Sequence, residues 1–375
     1  MAGALRVTEV GGRNPIVIKE CGMVSSLGLG CAASCAAARA GLRRAQPLDY
    51  LGFASLDGRD VEFAVGHPAP IVTHGFEGAP RLAQLVAAAL RDLASRATIP
   101  TGPRAGFYLS LPSCRRHLTG AELIPDPIAR QTFLEEVAEA EIEGTEESWV
   151  GAILSLALQQ IGIPAAPIRF VSCAGHTGFA EALEAATGDL GAGAVDAALV
   201  GAGDSLVEER ALGWLRLTAR LKTGANPAGL EPGEGAAFFL LERGSGGCIA
   251  MIATDEEEGV RFPGDAGTGQ ALARCFNAVA REASGPVWLI TDHNGETNRA
   301  MELGNFLART AGPDRTFASP LYPAASFGDT SAASGGMALC LARAAFSRKY
   351  APASAAVIAS AADGAGRSAL SVVAG

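Results

Sequence analysis

A short segment at residues 168–178 carries residue types that suit nucleophilic chemistry. It reads IRFVSCAGHTG, an apolar run followed by small and polar residues, and a helical pattern begins directly after it at Phe179. This order predicts a strand that bends tightly into a helix. Such a bend exposes a side chain at a helix N-terminus, where backbone N–H groups and the helix dipole lower a thiol pKa or stabilise an oxyanion. Cys173 and His176 are therefore candidate catalytic residues.

His293 is a further candidate, at the end of an apolar run over 287–293. The turn that follows it is polar, so His293 is either a general base or a hydrogen-bonded turn residue, and both interpretations stay open. Asp329 and Asp363 could line the same pocket, where carboxylates beside the imidazole would raise its pKa. Alternatively, they are turn aspartates that cap the helix and the loop that follow them.

The composition excludes several function classes. Its 39 acidic and 30 basic residues give a net charge of −9, and no basic stripe with interleaved aromatics is present, so we expect no nucleic-acid partner. The sequence shows neither a secretory signal nor a membrane-spanning apolar run, so a soluble, cytoplasmic protein without membrane association is expected. The eight cysteines form no Cys-x-x-Cys pair and the five histidines no i, i+4 pair. We therefore expect reduced packing cysteines, no metal and no cofactor.

Apolar runs and helical patterns alternate along the chain. Strands are predicted at 15–20, 106–110, 168–173, 196–200, 236–241, 248–254, 287–291, 355–360 and 369–374. Helices are predicted at 32–40, 80–97, 152–160, 179–187, 270–283, 300–311 and 331–348. This alternation favours an α/β fold with largely parallel, buried sheets that are covered on both faces.

A glycine-rich segment at 244–247 separates a completed strand from a new one, and the alternation restarts after it. We therefore predict two similar halves, 1–243 and 248–375, although no sequence repeat relates them. The polar, acidic stretch from about 113 to 147 does not fit the layered core. It is predicted to be a surface excursion that could contact a partner or a substrate.

The bend at 168–178 resembles that of the β-ketoacyl synthases, in which it carries the nucleophilic cysteine. In the second half, 287–293 is similar to the strand that ends in the family's first catalytic histidine, and 326–335 to the turn and helix that carry its second. Further segments are similar to the family's opening loop and middle signatures: 22–28, 40–42, 195–204 and 232–242. The resemblance covers nearly the whole chain and implies a thiolase-like five-layer αβαβα sandwich of two similar halves.

The nucleophile of that family has no counterpart in this sequence. Aligned without a gap between Pro167 and Gly178, the nucleophile position falls on Gly175. Cys173 would have to move by two residues, about 6.6 Å along a strand, which exceeds what a catalytic site tolerates, so packing is its simpler role. His176 could meet the imidazole of the other half across a crevice, or it caps or packs locally.

Three further family positions also differ. The second histidine corresponds to Asp329, the lysine five residues before it to Ala324, and the aromatic residue of the gating loop to Asp363 within 362–366. Of the family's cysteine, two histidines and lysine, the resemblance retains His293 alone.

These replacements imply loss of the condensing reaction, because glycine offers no atom to acylate. Decarboxylation relies on two imidazole donors in this family, and one lost donor typically costs about 2.7–4 kcal/mol. We therefore predict a non-catalytic binding or scaffold protein, either a partner subunit like the chain-length factors or an adaptor or chaperone, for example for a secretion-system cargo. The alternative is an acyl-thioester-handling enzyme of the 3-oxoacyl-ACP synthase type, with a rearranged site using His293 and either Cys173 or His176.

The resemblance also implies partners. We expect a homodimer, or a heterodimer with a synthase-like subunit, formed through the strand region near 114–172 or its neighbours. Acyl carrier protein and another protein cargo are the further candidate partners.

Overall fold

The computed structural model describes residues 4–10, 15–54, 58–139, 144–164, 166–244, 249–261, 263–281, 285–312 and 316–373. The strands are β1 (Arg6–Glu9), β2 (Ile16–Ser25), β3 (Gln46–Ala54), β4 (Val61–Gly66), β5 (Ala105–Ser110), β6 (Ile168–Ser172), β7 (Ala197–Ser205), β8 (Glu234–Arg243), β9 (Ile249–Glu256), β10 (Val287–Thr291), β11 (Phe317–Leu321), β12 (Ala355–Ala361) and β13 (Gly366–Val373). The helices are α1 (Cys31–Arg39), α2 (Pro70–Thr73), α3 (Gly78–Ala94), α4 (Pro127–Glu139), α5 (Glu146–Ile161), α6 (Gly178–Gly191), α7 (Glu209–Leu217), α8 (Gln270–Val279), α9 (Thr297–Thr310), α10 (Ala324–Phe327) and α11 (Ser334–Ser347).

Two mixed sheets have the same internal topology. The first has the order β2-β8-β7-β5-β6, and the second has the order β9-β13-β12-β10-β11 with β1 added at its β9 edge. In each sheet the first three of these strands pair antiparallel and the last three pair parallel. The equivalence of the two sheets follows from the pairing alone and does not depend on sequence similarity between the halves.

The helices pack in three layers around the two sheets. One core cluster joins α6 and α11 to the inner faces of both sheets. A second covers the outer face of the first sheet with α3 and α5, and a third covers the outer face of the second sheet with α8 and α9. The order is therefore helix, sheet, helix, sheet, helix, and the predicted thiolase-like αβαβα sandwich is confirmed.

The central strands are apolar on both faces because helices cover both. In β8, Phe238 belongs to the outer cluster and Phe239 to the central one, as expected when successive side chains point to opposite faces. The central helices also approach each other closely. A Cβ atom at Gly335 would lie 3.1 Å from the Cβ of Phe179, which leaves little room for any larger residue.

The division of the chain into halves 1–243 and 248–375 stays a prediction. Strand β8 ends at Arg243 and β9 begins at Ile249, and the intervening residues 245–248, which include the predicted strand start at Cys248, lie outside the described residues. Strand β1 belongs to the second sheet although it lies in the first half of the sequence.

The stretch from 113 to 147, predicted as a surface excursion, contains two 3-10 turns, Arg116–Leu118 and Ala121–Leu123, and helix α4. It is anchored to the core, because Arg116 donates to the buried carboxylate of Asp204 at 2.5 Å. Among the described residues, no helix has both the length and the apolar character needed to span a membrane.

Candidate functional site

Gly175 lies where the first half bends from strand to helix. Strand β6 ends at Ser172, a 3-10 turn covers Gly175–Thr177, and α6 begins at Gly178. Gly175 has φ of +59°, a backbone conformation that residues with a Cβ atom adopt at a cost. A Cβ built there would meet one side-chain atom within 4 Å, the Oγ of Ser331 at 3.8 Å. The space at this position is therefore open.

A matching turn faces it from the second half. The 3-10 turn Ser331–Ala333 precedes α11 as Gly175–Thr177 precedes α6, and Ser331 also has positive φ, at +42°. Strained backbone at a non-glycine residue is held in place by its surroundings and is common at functional sites. The two turns border one cavity of about 560 Å³, which is also lined by Asp329 and Asp363.

A buried ion-pair network borders this cavity. Arg220, which is 5% exposed, donates to both carboxylate oxygens of Glu296 at 2.7 and 2.8 Å. It also donates to both oxygens of Asp363 at 2.8 and 3.0 Å. A guanidinium that forms two bidentate pairs is held in a single orientation. Arg220 precedes the glycine-rich segment at 244–247 in the sequence and its two partners follow it, so this network connects residues on the two sides of the predicted division.

Arg299 extends the network to the histidine of the bend. Its Nη2 donates to Asp363 Oδ1 at 2.8 Å and to His176 Nδ1 at 3.2 Å. Because Nδ1 accepts this bond, a neutral His176 ring carries its proton on Nε2, which lies 2.9 Å from Asp329 Oδ1. Asp329 accepts a further bond from Asn294 at 2.6 Å. His176 is thus held by Arg299 and Asp329, which both follow residue 248 in the sequence, and not by His293.

The charges of this cluster shift the pKa values of its members. Burial would raise the pKa of Asp329, but His176 and Arg299 hold it well below the usual range. Burial would also raise the pKa of Asp363, but Arg220 and Arg299 lower it far below the usual range. For His176, burial and Arg299 lower the pKa, yet Asp329 and Asp292 outweigh them and the net shift is upward. Both carboxylates are therefore ionised near neutral pH.

These shifts predict an acid-sensitive fold. Above about pH 5 the two carboxyls are ionised in both the native and the unfolded chain, so their contribution to stability is complete. As the pH falls through about 4, the unfolded chain binds protons that the native chain does not, and each carboxyl then lowers stability by up to about 1.36 kcal/mol for each further pH unit. Urea midpoints measured between about pH 5 and pH 3 should fall steeply for the wild type and less steeply for Asp363→Asn. Equal slopes would show that Asp363 does not contribute.

His293 lies in a different cavity. That cavity has a volume of about 720 Å³, and its lining includes His293, Tyr322, Ala324, Arg43 and Lys222. The imidazole stands edge-on to the Tyr322 ring at 5.8 Å, and its buried Nδ1 has no hydrogen-bond partner among the described residues.

The cavity linings do not support the hypothesis that His293 shares a pocket with Asp329 and Asp363. Asp329 and Asp363 do share a cavity, but their imidazole neighbour is His176. Burial is the largest effect on the pKa of His293 and lowers it, and Arg299 lowers it as well, although Asp292 and Glu296 act in the opposite direction. The expected increase in pKa therefore applies to His176, and His293 is neutral near physiological pH.

Cys173 borders the crevice but is a poor nucleophile. Its thiol donates to Glu146 Oε2 at 3.4 Å, and burial, followed by the Glu146 charge, raises its pKa far above the usual range. Glu146 is itself fixed by Ser113 Oγ at 2.5 Å and by the backbone N–H of Cys114 at 3.1 Å. A thiol that stays protonated has little nucleophilic character.

Four residues of the network were not identified from the sequence: Arg220, Asn294, Glu296 and Arg299. One of them leaves a signal in the sequence. The buried residues of α9 are Arg299, Glu302, Phe306 and Thr310, which follow a helical spacing. Charged residues that lie on the same helical face as a buried phenylalanine indicate buried ion pairs.

Two equivalent mixed sheets around a central helix pair, with a crevice at the N-termini of those helices, define the fold of the thiolase-like ketosynthases. No protein-family model and no curated protein matches the sequence.

Solved structures do match. The ishigamide ketosynthase/chain length factor is 20% identical with a TM-score of 0.61, over 96% of this chain and 99% of that chain. A β-ketoacyl synthase from Burkholderia phymatum STM815 is 17% identical with a TM-score of 0.64, over 96% of this chain and 100% of that chain. A ketosynthase in complex with its chain length factor from Xenorhabdus doucetiae is 14% identical with a TM-score of 0.68, over 96% and 98%. At these identities the fold is what the chain shares with them, and the resemblance is confirmed at that level.

Proposed function

We propose that this chain is a non-condensing, ketosynthase-like partner subunit of the chain-length-factor type. The observation that carries the proposal is Gly175, which has positive φ and open space beside it at the bend where the resemblance places the nucleophile. The nearest thiol in sequence, Cys173, is protonated and bonded to Glu146. Acyl transfer to the enzyme needs a nucleophile at this position, and glycine has none.

The ion-pair network supports the same proposal. A decarboxylase of this family places two imidazole donors where negative charge develops on the thioester oxygen. Here Asp329 is ionised and accepts hydrogen bonds, so it cannot donate one to an oxyanion. The loop that corresponds to the gate is held by Asp363, which is paired with Arg220 and Arg299. The crevice therefore favours a fixed structural role over a catalytic one.

A second candidate function rests on His293. A buried imidazole nitrogen without a partner, in a cavity of about 720 Å³, is a group that could bind or deprotonate a ligand. The alternative enzyme would handle acyl thioesters from this cavity.

Carbon dioxide release from malonyl-CoA separates the two functions. The partner-subunit proposal expects the wild-type chain to release no more than buffer does, and His293→Ala to be indistinguishable from it. Release by the wild type that is lost in His293→Ala would support the enzyme and contradict the proposal. Circular dichroism of both proteins checks that the comparison is made between folded chains.

The edge of the first sheet supplies a surface for a synthase-like partner. Among the described residues, β6 pairs with β5 alone, which leaves its other edge unpaired. Two exposed apolar side chains lie on β6 and the neighbouring α5: Ile168 at 36% and Leu156 at 39%. An unpaired edge flanked by apolar side chains is a template for a second strand.

When no synthase-like subunit is present, two copies of this chain can pair through the same edge, and we expect the purified chain to self-associate there. Ile168→Asp should weaken the dimer at least about tenfold, because a charge at a packed interface costs about 1.4 kcal/mol or more. Ile71→Asp, at a residue 67% exposed on α2, is the matched control and should leave association unchanged. Sedimentation velocity over a concentration series measures both. A monomeric wild type, or equal dissociation constants for wild type and Ile168→Asp, would contradict this use of the edge.

A further inference from the structure

Four cysteines that are scattered in the sequence come together at a place remote from the crevice network. Cys21 lies on β2, Cys31 and Cys35 are one turn apart on α1, and Cys340 lies on α11. All are buried, between 0% and 8% exposed. The sulfur atoms of Cys21, Cys31 and Cys340 all lie within 4.8 Å of one another. This arrangement assembles three elements from both halves around one point.

The sulfur spacings match those of a metal–thiolate centre. Cys21 Sγ lies 3.5 Å from Cys31 Sγ, and Cys31 Sγ lies 3.9 Å from Cys35 Sγ. A disulfide would require about 2.05 Å. Four sulfur atoms at about 2.3 Å from a tetrahedral Zn²⁺ lie about 3.8 Å apart, and three around a trigonal ion lie about 4.0 Å apart. The Cys21–Cys31 separation is about 0.3 Å shorter than the tetrahedral value, and the Cys31–Cys35 separation is close to it. Cys35 is not among the three sulfur atoms that all lie within 4.8 Å of one another.

Neighbouring groups fix the cluster and offset its charge. Asp92 Oδ2 accepts from the backbone N–H of Cys31 at 2.8 Å and so holds the start of α1. Arg343 Nη1 donates to Cys21 Sγ at 3.4 Å, and Arg96 donates to the carbonyl of Cys21. Such partners orient thiolate ligands and compensate the excess negative charge of a zinc–thiolate centre.

A cavity of about 330 Å³ lies beside the sulfur atoms and is lined by all four cysteines. It leaves room for a metal ion and for a water ligand.

We propose that Cys21, Cys31 and Cys340 bind a thiophilic metal ion, Zn²⁺, with a water molecule as the fourth ligand. Thiolate ligands select soft and borderline ions over Mg²⁺ and Ca²⁺. The site joins β2 and α1 of the first half to α11 of the second. It is independent of the proposed partner-subunit function and goes beyond the sequence expectation of no metal, which considered neighbouring cysteines and histidine pairs only.

Zinc binding to the reduced, metal-free full chain tests the site. In a chelator competition, the wild type should bind a single zinc ion, and Cys31→Ser should bind it at least about a hundredfold more weakly, since even outer-shell changes cost 10–100-fold. Cys114→Ser, a cysteine outside the cluster, is the matched control and should bind as the wild type does. Zn²⁺ should raise the Tm of the wild type and of Cys114→Ser but not that of Cys31→Ser.

Alkylation mapping of the wild-type chain covers the case in which Cys31→Ser does not fold. Iodoacetamide followed by peptide mass spectrometry should show Cys21, Cys31 and Cys340 protected by Zn²⁺ and labelled after chelation. Protection that is unchanged by Zn²⁺, failure of the folded, reduced chain to bind Zn²⁺, or recovery of a disulfide-linked Cys21–Cys31 peptide from chain purified with zinc would each overturn the proposal.

Discussion

Arg299→Met is expected to lower the free energy of unfolding by about 3–5 kcal/mol, which is the cost of breaking a buried ion pair by removing one partner. Arg299 is 7% exposed and lies 2.8 Å from Asp363 and 3.5 Å from Asp292. Methionine fills a similar volume, so the loss would come from uncompensated carboxylates rather than from a cavity. Urea unfolding monitored by fluorescence measures it.

Arg309→Met is the matched control on the same helix. Arg309 is exposed and donates to the carbonyl oxygen of Thr268 at 3.0 Å. A surface substitution of this kind should change stability by no more than about 0.5 kcal/mol. Equal losses at Arg299 and Arg309 would mean that the network contributes nothing beyond helix propensity.

Arg367→Met is expected to have an effect of the same size, about 3–5 kcal/mol, with a second consequence for the loop at 362–366. Arg367 is 2% exposed and donates to both carboxylate oxygens of Glu302 at 2.5 and 2.9 Å. Its Nη1 also donates to the carbonyl oxygens of Gly364 and Gly366 at 2.7 Å each. Removing this side chain leaves the buried Glu302 unpaired and releases the loop that corresponds to the family's gate.

Two measurements separate these consequences. The double variant Arg367→Met/Glu302→Met removes both charges and should recover much of the lost stability, because a buried pair can be replaced by apolar residues at little net cost. Hydrogen exchange of the backbone at 362–366 should be faster in both variants, since neither retains the guanidinium that holds the carbonyls. Unchanged exchange in Arg367→Met would show that the loop is held by Asp363 alone.

The sequence predicted the layered core well because its strands and helices are locally encoded. The run predicted as a strand at 168–173 is β6 (Ile168–Ser172), and the helix expected at Phe179 begins one residue earlier, at Gly178. Strand β6 carries Ile168, Phe170 and Val171, and α6 repeats buried apolar residues at helical spacing. The same holds for the apolar run predicted at 236–241, which lies within β8.

Four strands were not predicted from the sequence: β1, β3, β4 and β11. Some depend on partners far away in the sequence, and others contain residues that disfavour a strand. Strand β1 has four residues and forms only by pairing with β9, more than 200 residues later. Strand β11 contains Pro320, which lowers the strand propensity of any run and is tolerated here because β11 is an edge strand. Strands β3 and β4 form a separate pair outside both large sheets.

The sequence identified several residues that line the cavity, but it did not predict which arginines pair with its carboxylates. Gly175, Asp329 and Asp363 border one cavity, as the resemblance implied. The arginines that pair with Asp363 could not be assigned from sequence, because no local rule connects Arg220 to a residue 143 positions later. His293 lines the other cavity, beside Tyr322, while its sequence neighbour Asn294 donates to Asp329.

The most direct test of the account is the intact mass of the purified chain after incubation with acetyl-CoA and with octanoyl-CoA, followed by acid quench. A crevice with glycine at its bend and a protonated, Glu146-bonded Cys173 should give an unchanged mass with either donor. A mass gain of one acyl group that disappears in Cys173→Ser would place a working nucleophile at the bend and contradict the account.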